Sequence, residues 1–167
     1  WFAPAGFNRG ALDFVSNTLI RLNKSDKDRL ADARINPIVS LPNNGGFVIF
    51  GQKTLQKAKS ALDRVNVRRL LLEVKRLIIN IANTIIWEQN TQEIRDRFIK
   101  ESTVQLGAVQ LNAGIEQFKV VMDSSNNTTE DLNNYRLNGS IIIIPTKAAE
   151  QIILNYIITN SGVSFIE

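Results

Sequence analysis

Chemistry in this chain would have to run without its two most versatile side chains. Histidine and cysteine are both absent from the 167 residues. This removes the commonest general base, the commonest metal ligand, thiolate nucleophiles and disulfides together. What remains is carboxylates, lysines and glycine-rich turns. Gly45-Gly46 precedes an apolar run and Gly51-Gln52-Lys53-Thr54 follows it, which outlines a phosphate-binding loop. The spacing G-x-x-x-x-G-K-[ST] fails, however, because Gln52 stands between Gly51 and Lys53. The segment reads as a loop after a strand.

The carboxylate pairs Asp26/Asp28 and Glu130/Asp131 lie in polar stretches where carboxylates stay ionised and solubilise. No nucleophile has a recognisable base at a useful spacing, so no catalytic, cofactor-binding or metal site is assigned. Asn126, Asn127 and Asn138 open glycosylation-like tripeptides, which we read as coincidental. The net charge of +4 is modest, and the aromatic residues do not alternate with basic clusters. Nucleic-acid binding is therefore not expected. The apolar runs Ile141 to Ile144 and Ile152 to Ile158 are far shorter than the ~20 residues that cross a bilayer, so no membrane insertion is expected. The first residue is Trp1 and the sole methionine is Met122, from which we expect the natural protein to begin upstream.

One constellation has mechanical promise. From about Arg64 to Trp87, Leu70, Leu71, Val74, Leu77, Ile78, Ile81 and Ile85 recur at helical spacing and mark a core side. At 100° per residue, Arg68, Arg69, Lys75 and Arg76 fall on the opposite face, with Leu72 and Ile79 between them and Glu73 at the edge. Four cations with two aliphatics suit docking onto an acidic surface.

The elements around this helix read as follows. Residues Ala11 to Leu22 lean towards an extended segment. Ser25 and Asp28 form a capping box that opens a short helix through Asp26 to Ala33, before the extended pair Asn36-Pro37. Asn43 to Gly46 is a turn, and Phe47 to Phe50 a strand closed by Gly51. Asn90 and Glu93 cap a second helix running to about Leu106, with Gly107 near its end. Ile115 to Met122 is a strand with Phe118, Val120 and Met122 on one face, and Asp123 to Thr129 is a polar turn. Tyr135 to Ile144 is a strand stopped by Pro145, and Gln151 to Thr159 favours a strand through its β-branched residues. The fold class is α+β: a mainly antiparallel sheet packed against two helices, with an extended terminal arm over residues 160–167. In that arm Val163, Ser164, Phe165 and Ile166 alternate like a strand that could add to a neighbour's sheet edge.

Several phrases, in order and spread over nearly the whole chain, resemble the contractile phage tail sheath family. They are W-F-A-P-A-G-F-N-R-G from Trp1 to Gly10, I-N-P-I from Ile35 to Ile38, F-V-I-F-G-Q-K-T-L from Phe47 to Leu55 and L-D-R-V-N-V-R-R-L from Leu62 to Leu70. W-E-Q-N, with Glu88 and Asn90, and D-S-S-N-N-T from Asp123 to Thr128 complete the set. The resemblance is to the C-terminal part of a longer sheath protein. It implies that residues 1–167 are the inner domain, which faces the tail tube, and that the protein is structural and non-enzymatic. It further implies subunits that polymerise as stacked hexameric rings around the tube and contract to drive it through the host envelope. Its partners would be other sheath subunits, the tail tube protein, the baseplate and the tail terminator. Its place would be the virion, after assembly in the host cytoplasm. A sheath of a phage-derived particle, such as a tailocin, is the alternative. The resemblance gives Arg68, Arg69, Lys75 and Arg76 a partner in the tube, and Val163 to Ile166 a role in linking neighbours.

Overall fold

The computed structural model describes residues 1–40 and 46–154. The chain opens with a short helix, α1 (Phe7–Gly10), and a two-residue strand, β1 (Ala11–Leu12), followed by α2 (Lys24–Asp32). Strands β2 (Ile38–Ser40) and β3 (Phe47–Ile49) complete a three-stranded antiparallel sheet in the order β1-β3-β2. A turn of 3-10 helix at Ala61–Asp63 leads into the two long helices, α3 (Val65–Asn83) and α4 (Gln92–Leu111). Then come β4 (Ile115–Val121), the five-residue α5 (Thr129–Asn133) and β5 (Ser140–Pro145), which pairs antiparallel with β4.

The class is α+β and the strand pairs are antiparallel, as expected, but the strands divide into two sheets. The phrases at Ile35 to Ile38 and Phe47 to Leu55 interlock to hold the first sheet. Asn36 accepts from Lys53 N (2.9 Å) and donates through Nδ2 to Lys53 O (2.9 Å), so its side chain continues the ladder beyond β3. Gly51 makes room for it: a Cβ there would lie 2.8 Å from Asn36 Oδ1, and φ is +136°. Val39 and Val48, paired in register, form the buried centre of this sheet.

The main core lies between the helix pair and the β4–β5 ribbon. Leu70, Val74 and Ile78 of α3 meet Phe98, Leu106 and Val109 of α4, with Ile115 and Met122 closing from the ribbon. Phe118, Val120 and Met122 face this core, as their spacing indicated, and Ile141 and Ile143 join them from β5. Leu77 and Ile81 are half-buried against it, whereas Leu71, expected on the core side, is half-buried but outside this cluster. Trp1 packs against the same cluster and donates Nε1 to Asn112 O (2.8 Å), tying the chain's first residue to the end of α4.

The helix ends differ from the sequence reading. The capping box of α2 is built by Asn23 and Asp26, two residues before the expected pair. Helix α3 stops at Asn83 rather than Trp87. Thr91, not Asn90, caps α4, and α4 runs through Gly107 to Leu111. Helices α2, α4 and α5 each close on a left-handed residue that is not glycine: Arg34, Ala113 and Tyr135. In each, the next N–H reaches back to the last turn: Ile35 N to Leu30 O, Gly114 N to Val109 O and Arg136 N to Asp131 O. Residues 13–22 are irregular after β1, and of the strand expected from Tyr135 to Ile144 only Ser140 to Ile144 is extended, with β5 running on through Pro145. Residues 151–154 carry no strand pairing and are exposed. The turn at Asn43 to Gly45, the rest of the strand expected to Thr159 and the arm residues Val163 to Ile166 lie outside the described residues.

Candidate functional site

The residues that first suggested chemistry are committed to structure. Lys53 spends its ammonium on Ala31 O at the end of α2 (2.8 Å), and Thr54 Oγ1 donates to Leu62 O (3.1 Å). The would-be phosphate loop is thus a brace between α2, β3 and the start of α3. The carboxylates with displaced pKa values all move downwards. Arg76 lowers Glu73, Ser125 lowers Asp123 and backbone hydrogen bonding from Thr128 lowers Asp131. Each is held ionised, the opposite of what a general acid needs. None lines the apolar cleft of about 730 Å³ bounded by Ile85, Phe98, Met122, Leu137 and the exposed Trp87 and Tyr135. Among the described residues no cluster of acidic side chains is arranged to hold a metal ion. No helix among them is long and apolar enough to cross a membrane.

Three surfaces remain. The first is the outer face of α3. Arg68, Arg69, Lys75 and Arg76 are all exposed along it, and Leu72 (54%) and Ile79 (56%) stand exposed between them. The four are not equivalent. Arg76 grips Glu73 with two hydrogen bonds (Nη2–Oε1 2.6 Å, Nε–Oε2 3.0 Å), so its charge is compensated on its own helix. Arg68, Arg69 and Lys75 have no ion pair among the described residues. The uncompensated charge of this face therefore lies with these three more than with Arg76.

The second surface is the β4–β5 ribbon. Its inner face is held by the core, while Ile142 and Ile144 stand exposed on its outer face. Among the described residues each strand pairs only with the other, leaving a free edge on both sides. Two strands are marginal alone, and such edges accept further strands through backbone hydrogen bonds.

The D-S-S-N-N-T phrase fastens the ribbon's loop end. Asn127 is 5% exposed; its Nδ2 donates to Asp123 O (3.0 Å) and Asn138 O (2.9 Å), and its Oδ1 accepts from Asn138 N (2.6 Å). The W-E-Q-N phrase has a similar role. Asn90 Oδ1 accepts from Nε and Nη2 of the buried Arg95 (2.9 and 2.7 Å).

The third surface is a clasp that sequence reasoning missed. Glu150, downstream of β5, accepts from Arg64 Nε (2.7 Å) at the start of α3 and from Gln52 Nε2 (3.0 Å) beyond β3. Arg64 also pairs with Asp63 (2.9 Å). The partners lie 86 and 98 positions apart, so no local pattern announces them.

No family model matches the chain. Curated relatives do. The chain is 35% identical over all its residues to the tail sheath protein of Vibrio phage KVP40, and 32% identical to that of Enterobacteria phage T4. The tail sheath protein of Salmonella phage ViI matches 99% of the chain at 26% identity. The chain spans about a quarter of the length of these relatives.

Among solved structures, the contracted sheath complex of PVC, an extracellular contractile injection system, superposes with a TM-score of 0.84. It covers 93% of this chain and 45% of that one at 23% identity. The anti-feeding prophage baseplate gives 0.83, over 93% and 44%, at 21% identity. The fold is therefore shared with chains of contractile injection systems. The sequence resemblance to contractile-tail sheath proteins is borne out along the whole chain.

Proposed function

We propose that this chain, similar from end to end to phage tail sheath proteins, is the inner, C-terminal domain of a structural sheath subunit, with no enzymatic role. The single observation that carries the proposal is identity of 35% and 32% to two tail sheath proteins across every residue. In this reading the subunits polymerise as stacked hexameric rings around a tail tube and contract to drive the tube through the host envelope. Baseplate and tail terminator meet the two ends of the sheath, and the virion is its location. Identity favours a phage tail over a phage-derived particle, whose structures match at 21–23%.

Two surfaces take on separate mechanical tasks. The α3 face bearing Arg68, Arg69, Lys75 and Arg76 docks on the tube. Its contacts are exposed and screened by water and salt, so they can break during contraction. The arm strand Val163, Ser164, Phe165 and Ile166 adds to a free ribbon edge of a neighbouring subunit. Backbone hydrogen bonds of that kind can survive a rigid-body rearrangement.

Electron microscopy of the full-length subunit tests the proposal. Hollow, helically striated tubes are expected, and deletion after Asn160 should leave soluble subunits. Charge reversal at Arg69 and Lys75 should reduce assembly on tubes while the fold persists. Compact monomers from the intact subunit at every salt and protein concentration would refute the sheath reading. Normal polymer from the truncated one would refute the arm.

A further inference from the structure

Residues 147–150 form a strap with two fixed ends. At one end, Pro145 pairs with Ile115 and Thr146 N donates to Gly114 O (3.2 Å), beside the end of α4. At the other, Glu150 is held by Arg64 and Gln52 at the start of α3. Among the described residues Glu150 is the sole side chain of 147–154 that makes a hydrogen bond or ion pair. Beyond it, Ile152, Ile153 and Leu154 are exposed. The two halves of the grip differ. Gln52 is 4% exposed and rigidly placed, its backbone carbonyl accepting from Val65 N (2.8 Å). The Arg64–Glu150 pair is about a third exposed, where salt and solvent weaken an ion pair.

We infer that the Gln52–Arg64–Glu150 clasp is a releasable stop on the outgoing C-terminal segment. Closed, it roots that segment at the start of α3; open, it frees residues 147–150 and adds about 13 Å of reach at full extension. The inference rests on the arm reading above, because reach matters only if the segment must meet a neighbour. A subunit that stays linked to neighbours while it moves needs slack of this kind, and a partly exposed ion pair yields before a run of backbone hydrogen bonds does.

The chain's lack of cysteine makes a direct test clean. Spin labels at Asn80→Cys on α3 and Ile152→Cys beyond the clasp give a distance distribution across the strap; both sites are exposed. The parent should give one narrow distribution. Glu150→Ala, which removes both contacts, should broaden it about twofold; Arg64→Ala, which leaves the Gln52 bond, should broaden it less, and the double variant should match Glu150→Ala. Glu150→Gln, which keeps an acceptor for Arg64 and Gln52, should stay nearer the parent. In assembled polymer the mean distance should differ from that of the isolated chain by up to about 13 Å. A parent-like distribution in Glu150→Ala overturns the clasp, and an unchanged distance on assembly overturns its release. The label result in the isolated chain does not depend on strand exchange. Failure of the clasp is therefore distinct from failure of the arm, which the deletion after Asn160 reads.

Discussion

Replacing Asn127 by alanine should be among the most damaging single polar changes in the chain. The side chain is 5% exposed and makes hydrogen bonds to Asp123 O, Asn138 O and Asn138 N. These join the end of β4 to the start of β5. A made hydrogen bond contributes about 1 kcal/mol net, but a buried partner left unpaired costs about 1–3 kcal/mol. Asn138 would lose partners for both its N–H and its C=O. Some of these groups will recover water at the ribbon's loop end, so the expected loss is about 3 kcal/mol, a midpoint shift of roughly 6–12 °C for a chain of this size.

Urea unfolding at constant slope measures it, with Asn127→Asp as the discriminating variant. The carboxylate keeps an acceptor for Asn138 N but turns a lone pair towards two carbonyl oxygens, so it should be no better than alanine at neutral pH and should recover partly on protonation. A loss below 1 kcal/mol for Asn127→Ala, or an aspartate indistinguishable from the parent, would refute the idea that this side chain fastens the ribbon.

Gly51→Ala should cost about 2 kcal/mol or more, because φ is +136° and the new Cβ would meet Asn36 Oδ1 at 2.8 Å; thermal unfolding measures the loss. Ala113→Gly should do the reverse. It relieves a left-handed alanine (φ 57°) just past α4, and a gain of up to about 1 kcal/mol in urea is expected. Acid should destabilise the chain through Asp123 and Asp131, whose pKa values are lowered by hydrogen bonds from Ser125 and Thr128. With the folded value below the ordinary 3.8, their contribution is present above that pH and lost as pH falls through the folded value. Asp131→Asn should flatten the pH dependence of the unfolding midpoint below pH 3.8 and leave it unchanged near neutrality.

The long helices were legible because burial repeats over many turns. Leu70, Val74 and Ile78 recur at helical spacing and lie within the core they announced. Helix ends were less so. Near α2 and α4 several polar residues could cap, and the chain's path rather than the residue type selects Asn23 and Thr91. The ends of α2, α4 and α5 use Arg34, Ala113 and Tyr135 where glycine is the usual signal. Gly107, which looked like a stop, is a helical residue with open space where a Cβ would lie. Strands of two and three residues carry no readable period, so the split into two sheets was hidden. The basic face was legible as a row of charges, but the pairing of Arg76 with Glu73 that singles out its other cations depends on rotamers.

The phrases that carried the resemblance form structural joints. Asn36 extends the first sheet, Asn90 receives a buried arginine, Asn127 ties the ribbon, and Trp1 reaches the end of α4. On the sheath reading proposed above, a part that transmits force needs rigid joints and selectively weak faces. Buried amides supply the first, because breaking them strands polar groups away from water. Exposed cations supply the second, because water and salt replace their partners at little cost. The Arg64–Glu150 clasp has one side of each kind. Its Gln52 half is buried and its ionic half is open to solvent, so the root of the terminal segment should yield under load while the two sheets and the helix pair remain intact.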